Sequence, residues 1–158
     1  MPFDASYLHL LVNHFPVVLS IVGFASVVVG AVSKRDFFWR AGLMLMVLAG
    51  VAAIVAFLTG DQAAHIMRDR AFVVQGTISA HDSAAGIALW ALLVAGAISA
   101  FALWRARAGS VTALPAWLRQ LLLLAALVGA ILVANAAYRG GQIVHDAPVL
   151  QTLRAPGA

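Results

Sequence analysis

Five histidines, His9, His14, His65, His81 and His145, are the side chains of this sequence best suited to chemistry near neutral pH. An imidazole can ligate a metal, exchange a proton or hydrogen-bond a carbonyl, and its surroundings decide which. Cysteine is absent, which excludes disulfides, thiolate metal sites, iron–sulfur clusters and covalent haem attachment. Counted from the basic residue at the far end of its own helix, His9 lies 25 residues from Lys34 and His65 lies 25 from Arg40. His81 lies 24 residues from Arg105, and His145 lies 26 from Arg119. On continuous helices those four sit roughly 37 Å from the basic level, just outside a hydrocarbon core. His14, 20 residues from Lys34, comes about 7 Å deeper. The expectation is one layer of four histidines with a fifth below it. His9 and His14 are five residues apart, about 140° around a helix, which does not suit joint ligation of one small ion.

The elements that must position these rings are membrane helices. Hydrophobic residues make up 63% of the 158-residue chain and charged residues 10%, against roughly 25% charged in soluble domains. Four uncharged stretches, 5–33, 41–60, 83–104 and 120–138, each have about the 20 residues needed to cross a bilayer. The pattern predicts an all-α, integral membrane up-and-down four-helix bundle. One domain covers 1–150, with helices at about 7–33, 37–60, 80–105 and 115–140, and 151–158 form a mobile tail. The opening residues lack a basic n-region, so the first stretch reads as a retained helix. Pro16 predicts a kink that frees a carbonyl near residue 12. Gly23, Gly30, Gly42, Gly50 and Gly96 predict close helix packing. The charged segment 61–82 predicts a short interfacial helix and turn that cap one end of the bundle.

Charge sets the expected orientation. The loops near 33–40 and 105–119 hold Lys34, Arg35, Arg40, Arg105, Arg107 and Arg119 against the single acid Asp36. The other end holds Arg68, Arg70, Arg139 and Arg154 with Asp4, Asp61, Asp69, Asp82 and Asp146. The positive-inside rule then places the loops in the cytoplasm and both termini, with all five histidines, on the periplasmic side of a bacterial inner membrane. Trp39, Trp104 and Trp117 would form an aromatic belt at the cytoplasmic face. The net charge of +4 is spread over runs of no more than two basic residues, which excludes nucleic-acid binding. No carboxylate lies deep in the helices, which argues against a proton-coupled carrier.

Three chemistries suit such a histidine layer. Two imidazoles from facing helices could hold haem b non-covalently, with Asp82 and Asp146 orienting the ligands and Arg68, Arg70 or Arg139 pairing with propionates. A zinc or copper site could use His14, His81 and His9. A quinone pocket could use a histidine and an aspartate against the quinone carbonyls. His14, inside the apolar zone, points most strongly to function. His65 and His145, in polar surroundings, read as surface residues.

The opening Leu8-His9-Leu10-Leu11-Val12-Asn13-His14-Phe15-Pro16, Thr59-Gly60, His81 and the closing Gly140-Gly141-Gln142-Ile143-Val144 occur in a recognisable order. In that order the chain resembles, over nearly its whole length, a family of bacterial four-helix membrane proteins known as a domain of unknown function. Leu10 stands where that family has proline, and the family's closing histidine falls later than His145. Some members are fused to Rieske-type or cytochrome c domains. The resemblance therefore implies electron transfer outside the membrane, with a periplasmic carrier of that kind as partner. Together these readings give a cytochrome b-type subunit of a membrane oxidoreductase rather than an enzyme by itself. It would bind haem b through His14 and His81, with His9, His145 and His65 as further candidates. Electrons would pass between the periplasmic partner and quinone or another membrane subunit. The alternatives are a non-catalytic subunit of a respiratory or transport complex and a histidine-based zinc or copper site.

Overall fold

The computed structural model describes residues 5–67 and 75–145. Helix α1 (Ala5–Val12) runs into α2 (His14–Ser33), followed by α3 (Asp36–Met67), α4 (Gln75–Arg105), a single 3₁₀ turn (Val111–Ala113) and α5 (Ala116–His145). Among the described residues, four spans are long and apolar enough to cross a membrane, with α1 and α2 together forming the first. The fold is the expected all-α membrane bundle. Helix α2 packs on α3 and α5, and α4 packs on the same two, so α2 faces α4 across the bundle and α3 faces α5. Because α1 continues α2 and packs on α3, the N-terminal segment also stands diagonally across from α4.

Helix lengths differ from the expected ones. The third helix continues through Gly60 to Met67, the fourth begins at Gln75, and the fifth continues through Gly140 and Gly141 to His145. No separate interfacial helix is formed by 61–67 or 75–82, which simply prolong α3 and α4. Glycine in a helix costs only about 1 kcal/mol relative to alanine, and the packing described below outweighs it. The first helix is interrupted at Asn13 instead of being continuous. Pro16 explains this, since it has no N–H to offer the carbonyl of Val12, while Asn13 N still donates to His9 O at 2.9 Å.

The two ends of the bundle are packed differently. Towards the basic end, Val27, Trp39, Leu43, Val111, Leu114, Leu118 and Leu122 form a core of large side chains. Trp39 is buried there and not in an interfacial belt, whereas Trp104 and Trp117 are exposed. A clasp closes this end: the Asp36 carboxylate accepts hydrogen bonds from Ser110 Oγ, Val111 N and Arg40 Nε. Arg40 in turn donates to the carbonyls of Ala106 and Gly109. The glycines expected to pack closely do so. A Cβ on Gly42 would lie 2.7 Å from Gly23 O, and one on Gly30 would lie 2.7 Å from Trp39 N. Towards the histidine end the core is mainly alanine, with Ala49, Ala53, Ala84, Ala88 and Ala136 among its members. Small residues bring the helices together without filling the space between them, and a cavity results.

Candidate functional site

The cavity opens at the histidine end and has a volume of about 650 Å³, within the range of small-molecule and cofactor pockets. Its walls are mostly apolar, with Val17, Phe57, Leu89, Leu92 and Val133 among them. Three of the five histidines reach it: His9, His14 and His81.

His9 and His81 are held in the same way. The Nδ1 of His9 lies 3.0 Å from Ala56 O on α3, and that of His81 lies 2.9 Å from Ala136 O on α5. A carbonyl oxygen only accepts, so Nδ1 carries a proton in both rings, which in a neutral imidazole leaves the lone pair on Nε2. Each ring also comes close enough to its neighbouring helix to need a glycine there. A Cβ at Gly60 would stand 2.9 Å from His9 Cε1 and 3.2 Å from Nδ1, and one at Gly140 would stand 3.1 Å and 3.2 Å from the same atoms of His81. In each case Nε2 follows at 3.6 Å and 3.7 Å, so the Nδ1–Cε1–Nε2 edge of the ring faces the glycine. The Thr59 hydroxyl donates to Val55 O and Ala56 O and lies 3.3 Å from His9 Nδ1, where it can share that N–H. Thr59-Gly60 and Gly140 thereby acquire a physical role: they form the seats for two imidazoles.

The two seats share a local sequence pattern. Ala56-Phe57-Leu58-Thr59-Gly60-Asp61-Gln62-Ala63-Ala64-His65 and Ala136-Ala137-Tyr138-Arg139-Gly140-Gly141-Gln142-Ile143-Val144-His145 share Ala, Gly, Gln and His at matched positions, 80 residues apart. Each seat is built by a helical hairpin, α1–α3 in the first half and α4–α5 in the second. Its first helix contributes the seated histidine and its last helix the carbonyl and the glycine. Four identities in ten positions, within alanine-rich helices, are too few to stand out before the contacts are known.

The histidines form tiers, not one layer of four. The ring of His9 is level with Ala56–Gly60 and that of His81 with Ala136–Gly140. His65 and His145 lie five residues beyond those glycines, roughly 7 Å farther out along α3 and α5. The distances along the chain misled because the basic residues used as origins do not share one depth and the helices run on past the glycines. His65 and His145 are exposed and not part of the cavity wall. His65 Nε2 lies 3.9 Å from Asp61 on the same helix.

His14 opens α2 at the cavity edge, is exposed, and has no hydrogen bond to other described residues. Its neighbour Asn13 lines the same cavity, with Oδ1 buried and unpartnered. Asp61 and Asp82 are exposed residues of the cavity wall. Arg139 is not part of that wall; it lies in a separate groove between α4 and α5. Arg68, Arg70 and Asp146 fall outside the described residues. No group of three or more histidine or acidic side chains able to hold a metal ion is found among the described residues.

What the arrangement offers is two imidazoles that line one cavity from diagonal elements of the bundle. Both are oriented by backbone carbonyls, with Nε2 available to a ligand. No curated protein and no solved structure matches the chain. A family model described as predicted membrane protein (DUF2231) matches residues 6–152. That match spans all four transmembrane segments and both histidine seats, and the chain belongs to this family of predicted membrane proteins.

Proposed function

We propose that this chain is a membrane electron-transfer subunit that binds haem b between His9 and His81. The observation that carries the reading is the pair of equivalent seats. Metal-ligating histidines usually donate the second ring N–H to a backbone carbonyl or carboxylate, which fixes the tautomer and aims the ligating nitrogen. His9 and His81 meet that requirement through Ala56 and Ala136. A planar macrocycle needs apolar walls of small side chains, and the cavity supplies them. Haem held there would supply one-electron transfer. The protein's part is to present two neutral Nε2 atoms, exclude water along the apolar walls and leave polar groups at the open end.

This assignment moves the favoured pair from His14 and His81 to His9 and His81. His14 has no carbonyl partner to orient it, and its position at the cavity edge suits proton exchange or a hydrogen bond to the bound group. Asp61 and Asp82 at the same edge suit the same role. The excess of basic residues at the far end supports a cavity that opens on the periplasmic side of a bacterial inner membrane. Exchange would therefore occur with a periplasmic carrier of the cytochrome c or Rieske type, and with quinone or another membrane subunit.

Visible spectra of the protein, produced with ample haem and purified in detergent, test the proposal. A Soret band that shifts on reduction, with sharp α and β bands, is expected from bis-histidine haem. His9→Ala and His81→Ala should each abolish it, whereas His14→Ala, His65→Ala and His145→Ala should retain it. A featureless spectrum would overturn the reading in favour of a structural subunit.

A further inference from the structure

The groove that contains Arg139 lies on the opposite side of α4 and α5 from the haem-sized cavity. It is formed by Ala80, Ser83, Ala84 and Ile87 of α4 with Leu132, Asn135 and Arg139 of α5, and its volume is about 220 Å³. Ser83, Ile87 and Asn135 are exposed, as are Ile131 and Tyr138 beside them. This is therefore an outward-facing surface of the bundle. Arg139 Nε is buried without a hydrogen-bond partner. No carboxylate among the described residues pairs with its guanidinium, so among those residues a cation stands at the edge of a span without an anion. An unpaired buried donor on a charged group is costly and normally has a partner.

The groove is also graded along the membrane normal. Helix α4 runs inward from Ala80 to Ile87, and α5 runs outward from Leu132 to Arg139. The guanidinium therefore stands at the outer end, Ser83 and Asn135 in the middle, and Ile87 with Leu132 at the inner end. A charged head, polar middle and apolar floor match a phospholipid: phosphate, glycerol–ester region, acyl chains. We propose that this groove is a binding site for an anionic phospholipid, with Arg139 on the phosphate and Ser83 and Asn135 on the phosphate or ester oxygens. Guanidinium recognises phosphate by charge-assisted, bidentate hydrogen bonds. The volume suits a headgroup and the start of its chains. A net-negative lipid is favoured over a zwitterionic one because, among the described residues, the groove is lined by a cation and no counter-charge. The inference stands on the groove alone and is independent of the haem reading.

Native mass spectrometry of the full chain in detergent tests it, by titration with phosphatidylglycerol or phosphatidylcholine of identical acyl chains. The expected result is one phosphatidylglycerol bound about tenfold more tightly than phosphatidylcholine. Arg139→Gln should erase that preference, Arg139→Lys should keep part of it, and glycerol phosphate at millimolar concentration should fail to displace the lipid. Equal binding of the two lipids would overturn the proposal. So would an unchanged preference in Arg139→Gln of unaltered thermal stability, or displacement by the soluble phosphate, which would indicate a free-anion site. A dimer that dissociates on Arg139→Gln would also overturn it, by showing that a second copy covers the groove.

Discussion

Replacing Gly140 by alanine separates a histidine seat from ordinary helix packing, because its neighbour Gly141 is a matched control. An added Cβ at Gly140 would stand 3.1 Å from His81 Cε1 and 3.2 Å from Nδ1, whereas one at Gly141 would meet nothing within 4 Å. Both changes replace glycine inside α5, where alanine favours the helix by about 1 kcal/mol. Gly141→Ala should therefore raise thermal stability slightly and leave the site alone. In Gly140→Ala the ring must retreat by a few tenths of an ångström, which strains the 2.9 Å bond from His81 Nδ1 to Ala136 O. A backbone hydrogen bond is worth about 1 kcal/mol net, and loss of the group orienting a metal-bound histidine typically lowers affinity about 10- to 100-fold. On the proposed haem reading, Gly140→Ala should thus lose haem by roughly that factor while its apoprotein melts no lower than wild type. Haem titration followed by Soret absorbance, alongside thermal unfolding of each apoprotein, measures both quantities. Identical haem affinity in the Gly140 and Gly141 variants would refute the seat as the basis of ligand orientation.

Further consequences follow from the same contacts. Gly60→Ala, whose Cβ would stand 2.9 Å from His9 Cε1, should weaken haem binding at least as much as Gly140→Ala in the same titration. Thr59→Val removes only the longer contact of His9 Nδ1 and leaves Ala56 O in place, so the loss should stay below about tenfold. Gly30→Ala would force a Cβ to within 2.7 Å of Trp39 N and should cost about 1–3 kcal/mol, seen as a lower melting temperature with or without haem. Lys34, at φ 55° in the turn between α2 and α3, occupies left-handed backbone that disfavours a Cβ. Lys34→Gly should therefore raise stability by about 1 kcal/mol, read by denaturation in detergent.

Much of the architecture was legible in the residues because the bilayer imposes a simple rule. A span must be apolar for about 20 residues and must satisfy its own backbone hydrogen bonds, so composition alone fixes helix and span number. The small-residue packing of Gly23, Gly30 and Gly42 was legible for a related reason: in lipid, close approach is a principal source of helix association. Helix ends were less legible. Gly60 and Gly140 look like breakers in isolation, yet both lie inside helices, because an imidazole packs on each and helix propensity is a weak preference beside tertiary contact.

By itself, the sequence determined an all-α membrane bundle with its histidines gathered towards one end, because apolar run length and the positions of charged residues are local properties. Which histidines share a cavity was decided only by the tertiary structure. Distance along a helix estimates depth but not azimuth, and it cannot show that Ala56 O and Ala136 O turn two rings alike. His14 looked the strongest candidate because its depth made it costly. His9 and His81 take precedence because a carbonyl and a glycine on the neighbouring helix fix their tautomer and aim, and those partners lie 47 and 55 residues away in the chain.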